Sequence, residues 1–516
     1  MSTGATVTVT DMIITDNTAR FGGGIENLGG ELTISNSEFS NNEASADGGG
    51  IDNFNGELTV TDSTFSINIA EFGGGIHNNS NLPVTVTGSE FIENEAGADG
   101  GGISNLNGEL TVADSTFSAN TAEFGGGIAN SDDLTVTTST FSANTATDSG
   151  GGIQNSGELT VADSTFSANT ATDGGGIANS GELTVTASTF SANTATSDGG
   201  GIYNVNNVLT VNNSTFNGNT ATNNGNGIHN IGGTATIINA TLHNDTDSEN
   251  IVNEASTDPP ATATLNIGNT VVDAIVEIQP SVVNDLGGNF IGGDPELGPL
   301  QDNGGPTFTM LPDPDSPLID AGVDAVATNA GLTTDQRGFA RISGQGVDIG
   351  AVEIQAFIIC YSGNSKIRVR NKATKQISDV CAKDVYSDTY EVYDVQKKAF
   401  VPIKYNIVTG PTNRYMLIVK DAFALDQPNE DFYITSGHKI VINGVPMKAR
   451  HIPQAKRIKV SAEKVYSICT QRATTIMING LEVTTWGINK WLDHSKKKKL
   501  DWTDNKPKKI MAEIGC

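Results

Sequence analysis

The first half of the chain repeats one alternation of apolar and polar positions. Leu-Thr-Val or Leu-Thr-Ile pieces recur from Leu32 to Leu209, with the two apolar side chains two residues apart. Such a period of two puts both on one face of a short strand. A second anchor, Phe-x-x-Asn, begins at Phe39, Phe65, Phe91, Phe117, Phe141, Phe166, Phe190 and Phe216. A third, Gly-Gly-Gly-Ile-x-Asn, has its isoleucine at Ile25, Ile51, Ile76, Ile103, Ile128, Ile153, Ile177, Ile202 and, degraded, at Ile228. The isoleucines are 26, 25, 27, 25, 25, 24, 25 and 26 residues apart. Each unit thus offers three short β-rich pieces separated by Gly, Asn, Asp and Ser turns.

Pieces of three to five residues are too short for independent strands of a sandwich. Stacked along an axis, each pairs with its counterpart in the next coil, about 4.8 Å away. The expected fold is therefore all-β: a right-handed parallel β-helix with coils of about 25 residues, eight or nine of them making a rod of about 40 Å. Phe, Ile and Leu/Val would form internal ladders. Asn27, Asn53, Asn78, Asn105, Asn130, Asn155, Asn179 and Asn204 would stack at turns and bond to neighbouring backbone. A propeller needs units of about 40 residues. Collagen needs glycine at every third position.

Charge divides the chain. Residues 1–355 hold three basic side chains, Arg20, Arg337 and Arg341, against 44 acidic ones. Residues 356–516 hold 27 basic and 15 acidic side chains, all four cysteines and all three tryptophans. The formal charges are near −41 and +12, so a domain boundary falls near residue 355. The acidic part should repel nucleic acid and anionic membrane. Four cysteines confined to one domain do not make a disulfide framework. The N-terminus shows no signal peptide, and no stretch approaches the ~20 apolar residues of a transmembrane span. The chain opens in mid-pattern, which fits a truncated start.

The Gly-Gly-Gly-Ile and Phe-x-x-Asn pairing over residues 10–245 resembles the polymorphic outer-membrane-protein repeat family of surface β-helical passengers and adhesins. Further on stand Gly293-Asp294-Pro295-Glu296-Leu297-Gly298, Asp302-Asn303-Gly304-Gly305-Pro306, Ser316-Pro317-Leu318-Ile319-Asp320-Ala321-Gly322, Thr334-Asp335-Gln336-Arg337-Gly338 and Asp348-Ile349-Gly350-Ala351-Val352-Glu353. They resemble the choice-of-anchor Q module of bacterial surface β-helix proteins. Residues 1–289 are read as repeats and 290–355 as an end cap over the last coil, whose open edges would otherwise aggregate. A lyase on this rod would lack the cation that steadies an enolate. A glycosidase needs paired carboxylates, but Asp62, Asp114 and Asp163 sit at repeated positions, as coil geometry and solubility require.

The basic part carries another set of blocks. Cys360-Tyr361-Ser362-Gly363 opens it, followed by Ile377-Ser378-Asp379-Val380 and Asp384-Val385-Tyr386-Ser387. Then come Thr435-Ser436-Gly437-His438, Ile442-Asn443-Gly444, Val465-Tyr466-Ser467-Ile468 and Ile478-Asn479-Gly480-Leu481-Glu482-Val483. In this order they resemble Hint (hedgehog/intein-type) domains, over residues 356–489. The resemblance implies self-processing in cis, once per chain. Cys360 would attack the carbonyl of Ile359 in an N-to-S acyl shift, His438 would protonate the leaving nitrogen and Thr435 would position the peptide. The aligned end reads Thr484-Thr485-Trp486-Gly487 where splicing inteins have His-Asn, so cleavage without splicing is expected. Ser467 stands where many family members carry Asp. Cys381 and Cys469 sit in β patterns and are read as core residues.

No CxxC pair is present, and His451 and His494 lack metal-ligand spacing, so neither zinc nor any other metal or cofactor is expected, beyond calcium held loosely at the acidic surface. Residues 490–516 form a basic tail, with Lys496-Lys497-Lys498-Lys499 near Trp491 and Trp502. It is the single place suited to nucleic acid. The expected protein is a monomeric, secreted or cell- or virion-surface rod. Its partners would be a surface ligand or glycan for the rod, and water or a small nucleophile at the thioester. The alternatives are a binding protein with an inert Hint-like module and a carbohydrate-active rod.

Overall fold

In the computed structural model the chain forms two compact units, Met1–Gln355 and Ala356–Cys516. The described residues of the first are 4–354 without 245–248, 258, 314–315 and 344–345. Those of the second are 361–362, 366–381, 384–385, 389–394, 398–418, 432–434, 439–442, 445–448, 455–470, 475–478, 481–484, 486–487 and 501–502.

The first unit is a parallel β-solenoid. Among the described residues its strands, two to seven residues long, stack into four sheets of 12, 12, 9 and 11 strands, and Ser256–Thr257 with Pro260–Ala261 forms a separate antiparallel pair. Stacking is in register. Leu32 pairs with Leu58, Leu58 with Val84, and Val84 with Leu110. Phe39 pairs with Phe65, and Phe65 with Phe91. Three sheets come from the three anchors. The fourth comes from the residues before the glycines, such as Thr18–Phe21 and Glu43–Asp47. It is unexpected because its buried anchors are alanines, Ala44, Ala70, Ala96 and Ala122, and alanine is a weak hydrophobic signal.

At most levels like residues meet like residues. From Phe39 to Phe216 the eight rings lie in one stack, with centroids 4.6–4.9 Å apart and planes within 8°. Each contact adds about 0.5–1.5 kcal/mol to the gain from burial. The asparagines after isoleucine form a buried ladder, with Asn27 Nδ2 donating to Asn53 Oδ1 at 2.8 Å and Asn53 Nδ2 to Asn78 Oδ1 at 2.8 Å. A second ladder runs through the Phe-x-x-Asn asparagines. Asn68 Nδ2 donates to Asn94 Oδ1 and to Phe39 O, both at 2.9 Å. Side-chain amides suit such corners because each supplies both donor and acceptor.

The glycine triplets make the sharp corner. Gly48 has φ +66°, and a Cβ there would lie 2.2 Å from Ile51 O. At Gly49 it would lie 2.4 Å from Gly74 O of the next coil. Only glycine allows both the left-handed turn and that approach.

Residues 290–354 pack laterally against several coils. Thr189 Oγ1 donates to Phe308 O, Thr215 Oγ1 to Gln336 Oε1 and Asn213 Nδ2 to Thr334 O, all at 2.6–2.7 Å. Helix Asp324–Asn329 buries Val326 and Ala327. Arg341 is fully buried. Its Nη1 donates to Asn213 Oδ1 at 3.2 Å, and its Nη2 to Glu353 Oε2 at 3.2 Å and to the carbonyls of Asp348 and Val352. Asp335 clasps Arg337 through Nε at 3.0 Å and Nη2 at 2.8 Å.

The second unit is largely antiparallel β. Strands Ala399–Ile418 and Ala455–Thr470 pair along most of their length. Strand Lys366–Asn371 pairs with Ile377–Cys381 and Tyr390–Asp394, and Lys439–Ile442 forms a hairpin with Val445–Lys448. Among the described residues no helix is long and apolar enough to cross a membrane.

Candidate functional site

The acids at repeated positions on the solenoid are corner residues. Asp62, Asp114 and Asp163 hold φ of 47°, 50° and 50°, a conformation that Asp and Asn tolerate better than most residues. Burial pushes the Asp163 carboxyl above its ordinary range. Their place in the coil accounts for them without a reaction.

Histidine-centred groups lie elsewhere, where the glycine corner brings the residue before the triplet towards the residue after isoleucine. Asp47 ends strand Glu43–Asp47, and Asp52 lies in Ile51–Phe54. His77, in Ile76–Asn79, is the register partner of Asp52 one coil on. His77 Nδ1 is 2.9 Å from Asp52 Oδ1. One donor atom from each of Asp47, Asp52 and His77 lies within 4.8 Å of the other two. Burial raises the Asp47 pKa, and the Asp52 charge adds to this, while His77 and Arg20 oppose it.

A second group repeats the theme. His229 is fully buried, with Nε2 3.1 Å from Glu254 Oε2 and Nδ1 3.5 Å from Asp198 Oδ1. Burial lowers the His229 pKa, against the pull of Asp198 and Glu254. Tyr203, its ring 5.7 Å from that of His229, has its pKa pushed up to about 12 by burial and by Asp173, Asp198 and Glu254. Spacing along the sequence did not single out these groups. Their members are one coil apart, and a histidine 25 residues from its aspartate has no motif.

Ile359, Cys360, Thr435 and His438 of the expected self-processing site lie outside the described residues, as do 488–500 and 503–516 of the tail region. Their covalent neighbours are described. Tyr361, next after Cys360, is the antiparallel register partner of Ile434, just before Thr435. Tyr361 also pairs with Tyr466, and Ser362 with Val465. Backbone pairing thus joins the Cys360 block to the strand that ends just before Thr435 and to the Val465-Tyr466-Ser467-Ile468 block. Lys439, after His438, opens the hairpin that continues in register to Val483. Cys381 is half-buried opposite Lys366, and Cys469 is the parallel partner of Trp486.

Among families, the Chlamydia polymorphic membrane protein repeat matches residues 187–205. No curated protein matches the chain. Among solved structures, a variant of the Ssp DnaB mini-intein is similar over 26% of this chain and 97% of its own, with 13% identity and a TM-score of 0.21. A DnaB intein from Synechocystis sp. PCC 6803 is similar over 25% of this chain and 98% of its own, with 14% identity and a TM-score of 0.19.

Proposed function

We propose that the chain is a surface-displayed β-solenoid whose C-terminal module is Hint-like and cuts the chain once, between Ile359 and Cys360. The observation that carries this reading is the pairing of Tyr361 with Ile434. It links the strand that begins beside Cys360 to the strand that ends beside Thr435. Separate core strands would have no need to meet at those two residues.

The chemistry follows from the residue types. The Cys360 sulfur attacks the carbonyl carbon of Ile359 and forms a tetrahedral intermediate. The C–N bond then breaks, His438 delivers a proton to the departing Cys360 nitrogen, and a thioester joins Ile359 to Sγ. Thr435 orients the peptide. Water or a thiol attacks the thioester, releasing the acidic solenoid and returning the Cys360 thiol to the basic module. Splicing is not part of the proposal, because Thr484-Thr485-Trp486-Gly487 supplies no asparagine to cyclise. The acidic, lysine-free solenoid suits display at a surface.

Incubating the purified chain with dithiothreitol tests this. An acidic fragment ending at Ile359 and a basic fragment beginning at Cys360 should appear, as mass spectrometry would show. Cys360→Ala should abolish cleavage, and His438→Ala should slow it about 10²-fold or more. Cleavage that persists in Cys360→Ala, or none in the parent chain, sinks the proposal.

A further inference from the structure

The glycine corner gathers metal-ligating side chains that the self-processing reading does not use. We propose that this corner binds divalent transition-metal ions, with Asp47, Asp52 and His77 as its tighter station and His229 with Asp198 as a weaker one.

The first station has three converging donors, two carboxylate oxygens and one imidazole nitrogen. Asp52 and His77 are 4% and 6% exposed. The 2.9 Å between His77 Nδ1 and Asp52 Oδ1 is close to the ~3 Å between adjacent ligands held about 2.1 Å from one ion at a right angle. Asp47 lies within 4.8 Å of both, near enough for a side-chain rotation to close the set. Imidazole with carboxylates selects Zn²⁺, Co²⁺, Ni²⁺ or Mn²⁺, whereas Ca²⁺ and Mg²⁺ prefer oxygen alone. The register fixes the geometry. His77 and Asp52 are cross-strand partners, and Gly48-Gly49-Gly50 turns Asp47 back towards them. The same column holds Ser104, Ala129, Gln154 and Ala178 in the following coils, which supply no such set.

A separate observation, six coils further along the same column, also points to a cation. His229 Nδ1 is buried and has no hydrogen-bond partner. Its Nε2 is held by Glu254, the arrangement by which a carboxylate fixes the tautomer of a metal-ligating histidine. In the tautomer with its proton on Nε2, the Nδ1 lone pair faces Asp198 Oδ1 across 3.5 Å, an oxygen that also accepts from Asn224 N at 3.0 Å and Asn224 Nδ2 at 2.9 Å. Two acceptors facing each other repel unless a cation lies between them. The gap is near the ~3.4 Å separating two tetrahedral ligands of such an ion. Only two side chains converge here, so this station holds its ion less tightly.

The ion would link successive coils and oppose unwinding of the stack.

The test uses the untagged full chain, stripped with EDTA, dialysed and titrated with CoCl₂. One tight equivalent with the d–d spectrum of nitrogen and oxygen ligands, and no thiolate-to-cobalt band, is expected. His77→Gln and Asp47→Asn should each weaken that equivalent at least about tenfold and leave the far-ultraviolet β signal unchanged. His229→Gln should leave it intact and remove only a weaker second equivalent. Tight binding that survives His77→Gln, a thiolate-type spectrum, or no retained Co²⁺ overturns the first station. The absence of a second equivalent sensitive to His229→Gln overturns the other. The readout is independent of cleavage at Cys360.

Discussion

Ala119, Ala143, Ala168 and Ala192 each hold φ of 55–56°, in the left-handed region that costs an ordinary L-residue about 1 kcal/mol or more. The coil above Ala192 has Gly218 at the same corner, with φ 67°. Ala143→Gly should therefore raise stability by about 0.5 kcal/mol, since the relief of strain exceeds the entropy that glycine loses. An upward shift of the urea midpoint with unchanged slope would show it. A downward shift would mean that the alanine methyl packs more than it strains. The residues readable from the chain were those with a large hydrophobic or conformational signature, such as Phe39, Ile51 and Gly48. Asp47, Asp52 and His77 were not readable as a group, because their proximity arises only once two coils are stacked.

Among the elements, the ladders were legible, and residues 290–355 were set apart in the sequence as a cap, but the side chains through which they grip the coils were not. Gln336 and Arg341 look like surface residues in the sequence. In the fold they are almost wholly buried, Gln336 bonded to Thr189 and Thr307 and Arg341 to Asn213 and Glu353. The alanine-lined sheet escaped notice for the opposite reason, too little hydrophobic contrast. Burial sets a pH response in this segment. It raises the Glu353 pKa to about 8, with Asp348 adding to the rise and Arg341 opposing it. Burial also raises Asp348 to about 6. Both groups lose protons more readily in the unfolded chain. Their contribution is thus full below about pH 4 and falls as pH rises towards 8. The thermal midpoint should be higher at pH 5 than at pH 8.5, and Glu353→Gln should flatten much of that difference. The other carboxylates for which a shift is resolved lie outside this segment. A midpoint that rises across that range would show that Glu353 is ionised throughout, held by Arg341 and its backbone donors.

For the molecule as a whole, charge segregation marked the two units, and the periodicity identified the solenoid. Fewer cues were available in the second unit. Its long strands, Ala399–Ile418 and Ala455–Thr470, carry no repeat to announce their pairing. A formal charge near −41 spread over the first unit makes the compact state repel itself. Raising NaCl from about 0.01 to about 0.3 M shortens the screening length from about 30 Å to below 10 Å and should raise the melting temperature by a few degrees. Calorimetry showing no rise would mean that the acids are already neutralised by bound cations. Each coil touches chiefly the one before and the one after, through like residues in like positions. A unit could therefore be duplicated or deleted without redesigning its neighbours, and each change would alter the height of the column by about 5 Å. Length is a property that such a gene can tune by recombination alone, one storey at a time.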